Sequence, residues 1–468
     1  MWHVSPFPVP PALNEKKIIA VLGGGITGLA AAHRLTTLGH RVQVFEQGRL
    51  LGGVIRTELA GGWLIEAGPN SFQESALEIT ALLDELGLDR DRVEASPAAR
   101  NRYLVRGGRL VPLPMSPPAF LGSPLFSFPA KLRVLAELFF RRRTRPSDLS
   151  LGDFMRSHFG RELVDYAIQP FVSGIYAGDP EMLSTRYAFP KLWELDRTHG
   201  SLLRGQLARA RVNRAQGTPS MAKIISFRRG LQTLPDALAA RLPAGSVTLG
   251  AQVERITGGG SHWSVTWHDG RLSHTEKFDA VIAALPAAAL ARLPIGAAGE
   301  SPLAGLESVV APPVSTLFLG FRRDQVTHPL DGFGVLVPAL EKRAMLGVLF
   351  SSTLFPGRAP EGHVALTVMI GGSLQPDLAS LPPDQLWAAV RHDLRDLLGV
   401  SGEPVFLRHT FWPHAIPQYN LGHGRHLAAM AACEQASPGL FLGGNVRDGI
   451  ALPDCLRAGL ALAEKAAR

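Results

Sequence analysis

The sequence predicts an α/β and α+β fold: an open parallel sheet assembled from separate stretches of chain, interrupted by inserts of different texture. Three observations predict it. A glycine-rich turn, Gly23-Gly24-Gly25-Ile26-Thr27-Gly28, stands between an apolar strand and an alanine-rich helix. The strand that follows ends in an acid, Glu46. Short apolar strands return at 246–279 and at Leu440–Leu442, the last followed by a glycine turn and a helix.

Residues 16–22 (KKIIAVL) read as a buried parallel strand, because their apolar run does not alternate. Residues 29–38 read as the helix and Arg41–Glu46 as the second strand. Together they form the Rossmann-type start of a dinucleotide site. Gly23 permits the tight turn, Gly25 lets a pyrophosphate reach the backbone, and Gly28 lets helix and sheet pack closely. The helix N-terminus offers unpaired N–H groups and the positive end of its dipole to the phosphates. Glu46, about 20 residues on, suits the ribose hydroxyls.

Three further glycine signals follow in order. Residues 51–56 (LGGVIR) would run Gly53 and Val54 beside a cofactor. Residues 66–71 (EAGPNS) bring Gly68, Pro69, Asn70 and Ser71 into a second close approach. Residues 442–445 (LGGN) and 448–453 (DGIALP) supply Gly444, Ile450, Ala451 and Leu452. A helix starting near Pro453 would aim its N-terminus at a flavin's carbonyl end and stabilise negative charge on the reduced ring. This order points to FAD; an NAD protein needs neither the glycine pair nor the C-terminal return.

A chain of 468 residues can bury a large core and form two or three domains. The 49 glycines and 36 prolines are spread through it rather than gathered in one low-complexity block. Cys433 and Cys455 give neither a disulfide framework nor a metal spacing, which suits a reducing compartment. The net charge of +8 is compatible with nucleic acid, an anionic membrane or an acidic small substrate, and no nucleic-acid motif accompanies it. Residues 1–15 contain no Arg or Lys and no long apolar run, and read as a flexible extension, not a secretory signal. No stretch reaches the ~18 apolar residues of a membrane-spanning helix, so any membrane contact is expected at the surface. Residues 124–145 (PLFSFPAKLRVLAELFFRRRTR) read either as an amphipathic core helix with a solvated basic end or as an interfacial helix. The chain shows no catalytic triad.

Residues around 100–215 are rich in Pro, Phe and Arg with helical stretches, and 300–420 mix strands and helices. Within them lie Asn101-Arg102-Tyr103-Leu104 before Gly107-Gly108, then 171–179 (FVSGIYAGD), 332–338 (GFGVLVP), 367–372 (TVMIGG) and 416–419 (IPQY). With these motifs the chain resembles, from about Lys16 to its C-terminus, the protoporphyrinogen oxidases of the FAD amine-oxidase and desaturase superfamily. The resemblance implies a discontinuous FAD-binding domain (16–98, 216–290 with an adjoining substrate-domain segment, and 426–468), a helical membrane-contacting domain (99–215) and a mixed-sheet substrate-binding domain (291–425). It implies FAD contacts from the glycine-turn residues named above and from Val253. It places a substrate propionate on Arg102 and the macrocycle among Gly174, Phe333, Leu336 and Met369. From the residues alone, Arg102 reads rather as a surface arginine in a loop, Gly174 equally as a turn glycine, and the last three as core.

The implied reaction is oxidation of protoporphyrinogen IX to protoporphyrin IX in three two-electron steps. Hydride passes from a meso carbon to flavin N5, and O2 reoxidises the flavin to give H2O2. That chemistry needs no strong base, because hydride loss leaves a cation spread over the pyrroles whose N–H is then acidic. A homodimer, contact with ferrochelatase and a cytoplasmic location on the inner membrane surface are further implications. Coproporphyrinogen III oxidation and porphyrin binding without turnover are the alternatives. The chain departs from the family pattern at Leu50, where arginine is common, and at Val54, where tryptophan is.

Overall fold

The computed structural model describes residues 16–74, 77–140, 146–215, 223–259, 262–296 and 301–468. The extension expected at 1–15 and the basic residues Arg141, Arg142, Arg143 and Arg145 lie outside them.

Five parallel strands form one sheet in the order Val247–Leu249, Arg41–Glu46, Ile18–Leu22, Ala280–Ala283, Leu440–Leu442. Three distant stretches of chain therefore meet in a single layer. Ile19, Ala20, Val21 and Leu22 are fully buried, which is why the central strand reads as an unbroken apolar run. The first helix is Ile26–Thr37 and starts three residues before the expected position. Gly25 takes the cap position in an extended conformation (φ −72°, ψ 176°), which admits Ile26 to the first turn. The C-terminal helix Leu452–Ala467 lies against this helix. Its Gly459 makes the approach possible, since a methyl group there would meet Ala30 Cβ at 2.8 Å. On the other side of the sheet, Phe45 packs with Trp267 and Phe278 from the antiparallel strands His262–His268 and Ser273–Phe278.

A second, mixed sheet has seven strands in the order Phe406–Trp412, Val314–Arg322, His363–Gly371, Gly347–Leu349, Gly332–Leu336, Asn101–Arg106, Arg109–Pro112. Asn101–Arg106 pairs parallel with Gly332–Leu336. Residues 101–112, expected at the start of the helical region, thus belong to the sheet that carries the other substrate motifs. Helix Pro383–Leu398 covers one face of this sheet, burying Leu386, Val390 and Leu394 against Leu366, Val368 and Ile370. Strand alternation turns Thr367 and Met369 to the opposite face.

A helical layer surrounds Phe154, Met155, Phe159, Val172, Leu183 and Leu202. Inside it Glu137 accepts hydrogen bonds from Ser201 Oγ (2.7 Å) and Leu202 N (2.6 Å), and His158 Nδ1 lies 2.8 Å from the same carboxylate. Helix Phe128–Ala136 and the turn after it leave Phe128, Leu132, Leu135 and Phe139 exposed. Among the described residues no helix is long and apolar enough to cross a membrane.

Candidate functional site

The glycine turn Gly23–Gly28 shows why each glycine stands where it does. Gly23 has φ 101°, a left-handed conformation that other residues rarely adopt. A methyl group on Gly28 would overlap the Gly23 carbonyl oxygen and stand 3.2 Å from Val21 Cγ1. Gly25 is different: a methyl group there would meet nothing within 4 Å. The turn is therefore closed on the protein side at Gly28 and open at Gly25. The helix N-terminus at Gly25 carries no side-chain cap, so its first N–H groups keep their donors for a ligand.

Glu46 closes the other end of this cradle. Its Oε2 accepts from Gly24 N and its Oε1 from Gly48 N, both at 2.7 Å. Ala251 N donates to the Glu46 carbonyl at 2.9 Å, which brings Val253 on strand Gln252–Gly259 to the same end. Gly52 bridges Gly25, and Gly53 sits with its Cβ direction 3.3 Å from Gly25 Cα. The Val54 side chain is exposed, and its carbonyl fills the space beside Gly68. Residues Gly68, Pro69, Asn70 and Ser71 run on as a half-buried strap, with Asn70 Nδ2 donating to the Gly68 carbonyl at 3.3 Å. At the far end Gly444 N donates to Asp448 Oδ2 (2.9 Å). Ile450 and Ala451 lead into the helix that begins at Leu452, within one residue of its expected start.

These elements fit FAD. An open glycine, uncapped helix N–H groups and an acid at the next strand end match a pyrophosphate and a ribose. The C-terminal helix presents a second free N-terminus, capped at Ala451 by no side chain. Burial pushes the Cys455 thiol up to about 11, so it stays protonated at neutral pH and is a poor nucleophile.

The five residues assigned to substrate come together on the sheet face away from helix Pro383–Leu398. Leu336, Gly347 and Met369 stand side by side in one row across three strands. In the next row Arg102 lies opposite Gly334. A register shift between Gly332 and Gly334 brings Phe333 to Arg102, whose guanidinium carbon is 5.5 Å from the ring centroid. Gly174, on helix Gln169–Tyr176, has Leu336 Cδ2 in the space a methyl group would need. A side chain at position 174 would therefore collide with Leu336. Gly347, not recognised in the sequence, keeps the floor low between Leu336 and Met369.

Arg102 is held in register by its neighbours. Tyr103 OH donates to Asp331 Oδ1 at 2.7 Å and Asn101 Nδ2 donates to Asp331 Oδ2 at 2.9 Å. Burial and the Asp331 contact push the Tyr103 hydroxyl up to about 12. It remains a donor across the physiological range.

Trp412 at the end of its strand and Tyr419 in the loop that follows tie this layer to the flavin cradle. Trp412 Nε1 donates to the Ala67 carbonyl at 2.8 Å, just ahead of the strap. Tyr419 OH donates to the Asn445 carbonyl (2.7 Å) and accepts from Gly449 N (2.9 Å), clasping the loop before the C-terminal helix. Tyr419 stands in the 416–419 motif, but its clasp was not readable from sequence because both partners are backbone atoms.

A family model of flavin containing amine oxidoreductases matches residues 26–467. The chain is 34% identical to protoporphyrinogen oxidase 2, chloroplastic/mitochondrial, of Arabidopsis thaliana, over 96% of this chain and 93% of that protein. It is 33% identical to coproporphyrinogen III oxidase of Propionibacterium freudenreichii subsp. freudenreichii, over 94% of this chain and 88% of the relative. A protein of Exiguobacterium sp. 255-15, crystallised as a candidate protoporphyrinogen oxidase, superposes with a TM-score of 0.81 at 25% identity, covering 97% of this chain and 99% of that one.

Proposed function

This chain belongs to the flavin-containing amine oxidoreductase family and is an FAD-dependent oxidoreductase of the porphyrinogen-oxidising kind; from that premise we propose that it oxidises protoporphyrinogen IX to protoporphyrin IX. The observation that carries the reading is the Arg102–Phe333 contact, beside the row Leu336, Gly347 and Met369. It offers one carboxylate grip on an otherwise apolar floor. The Arg102 fork binds a propionate bidentately and fixes which edge of the macrocycle points to the flavin. Phe333, Leu336 and Met369 exclude water and support the ring plane. Asn101 and Tyr103, through Asp331, keep the Arg102 strand in register. FAD, when bound, supplies the two-electron acceptor and passes the electrons on to O2. No side chain named here is placed as a strong base, and the substrate's own pyrrole N–H supplies the proton that leaves.

The dicarboxylate is preferred over the tetracarboxylate coproporphyrinogen III because only one of the five residues assigned to substrate is charged. The test is oxidation of both porphyrinogens by the purified holoenzyme under oxygen, followed by porphyrin fluorescence. A higher kcat/KM for the dicarboxylate is expected; the reverse order reassigns the substrate, and no turnover of either removes the reading.

The exposed Phe128, Leu132, Leu135 and Phe139 support surface attachment to a membrane, and the arginines at 141–143 and 145 in the sequence favour an anionic one. On this reading the protein lies on the cytoplasmic face of the inner membrane, works as a homodimer and hands product to ferrochelatase. Sedimentation with anionic liposomes should be salt-sensitive and should fall when Arg141, Arg142 and Arg143 become Gln. Equal sedimentation of the two forms would leave that run as a solvated face.

A further inference from the structure

The strap beside the flavin and the wall beneath Arg102 are joined by a buried ion pair. Glu66 stands two residues ahead of the strap, and Arg358 follows the short helix Ser351–Leu354 of the other sheet's layer. Their side chains are 2% and 3% exposed, with Arg358 Nη2 3.4 Å from Glu66 Oε1. The same nitrogen donates to Ser226 Oγ at 2.6 Å. Glu66 also accepts from Leu231 N (2.9 Å) and Thr57 Oγ1 (2.7 Å). On its other side the Arg358 guanidinium lies 5.4 Å from the Phe355 ring centroid. Phe355 belongs with Ala99 and Leu354 to a small core against which Phe333 packs, and Phe333 carries Arg102. A continuous path thus runs from the strap through Glu66, Arg358, Phe355 and Phe333 to Arg102.

Stability alone is a poor reason for such a pair. Desolvating two charges costs about as much as their attraction returns, and an apolar pair of similar volume often does as well. Arg358 Nη1 is, in addition, buried without a hydrogen-bond partner among the described residues. What a planar guanidinium adds over an apolar contact is a fixed distance and orientation. We infer that Arg358 is a positioning residue. It sets the register between the flavin strap and the substrate wall, acting through Glu66 on one side and Phe355 on the other. This rests on the proposed placement of flavin at Gly25 and of a substrate carboxylate at Arg102.

The test compares the holoenzyme with Glu66→Gln, Arg358→Met, the double variant and Arg358→Lys. Each charge-removing single variant leaves a lone buried charge and should lower Tm, whereas the double variant should recover it. In the double variant flavin reduction by protoporphyrinogen IX should nevertheless be at least about tenfold slower than in the wild type, and the visible band of bound flavin should shift. Recovery of rate and spectrum together with Tm would overturn the inference, leaving a merely structural pair. If the double variant does not fold, Arg358→Lys decides. It keeps the charge but loses the fork, so a wild-type rate would overturn the inference and a slow rate at wild-type Tm would support it. A wild-type protein that oxidises no porphyrinogen would refute the proposed function separately. The flavin band would then decide the role of Arg358 at the strap: a shift supports it and an unmoved band overturns it.

Discussion

Gly25→Val and Gly28→Ala should fail in opposite ways, although the two glycines stand in one turn. At Gly28 a methyl group would have to displace the Gly23 carbonyl, because real Cβ atoms do not approach within 3.0 Å. That overpacking should cost roughly 3 kcal/mol or more and damage the fold itself. Gly25 has an extended backbone that any residue adopts, and nothing lies within 4 Å of its Cβ direction. Losing glycine from the cap costs up to about 1 kcal/mol, and restricting the unfolded chain returns about 0.4–1 kcal/mol. The apo-protein's Tm should therefore move by only about 1–2 °C in a chain of this length. Flavin binding should collapse, because the valine carbons take the space a pyrophosphate needs to reach the helix N–H groups. Losing two charge-assisted hydrogen bonds at about 1.5 kcal/mol each weakens FAD binding at least about a hundredfold. Calorimetry of the apo-protein and titration with FAD read the two effects separately. A stable Gly25→Val protein that keeps stoichiometric flavin would refute the placement of the pyrophosphate, and an unfolded one would refute the claim that this side of the turn is open.

Arg102→Ala should raise KM for protoporphyrinogen roughly tenfold or more, from the loss of a charge-assisted pair of about 1.5–3 kcal/mol, with FAD still bound; an unchanged KM would remove Arg102 from the site. Tyr419→Phe deletes the clasp on Asn445 and Gly449 and should loosen FAD retention while costing about 1–3 kcal/mol of stability; full retention after gel filtration would show that the clasp is dispensable. The His423 imidazole is depressed to about 4, first by burial and then by the charge of neighbouring His426. It is neutral in the fold but titrates near 6.5 once unfolded. Its contribution is complete above about pH 6.5 and is lost as pH falls towards 4, so the drop in Tm across that window should be smaller in His423→Phe. An identical drop in both proteins would assign the acid sensitivity elsewhere.

The cofactor cradle was legible because its signals are local. A turn that needs φ 101° at Gly23 demands glycine whatever surrounds it, and an unbroken apolar run such as Ile18–Leu22 marks a strand covered on both faces. The proposed substrate face was legible only through motifs. Its geometry comes from a parallel pairing of Asn101–Arg106 with Gly332–Leu336, strands more than two hundred residues apart that leave no local trace. The same pairing is why 101–112 was expected among the helices. Nothing near Gly174 in the sequence says that Leu336 reaches across to it. Arg358 was invisible for a related reason, since its polar partners Glu66 and Ser226 lie more than a hundred residues away in two separate stretches.

The most direct measurement is anaerobic mixing of the purified flavoprotein with protoporphyrinogen IX, watching the flavin band and porphyrin fluorescence together. The flavin should bleach on mixing, within one two-electron step, and fluorescent porphyrin should build up once oxygen is admitted. A flavin that stays oxidised in the presence of excess porphyrinogen would contradict it.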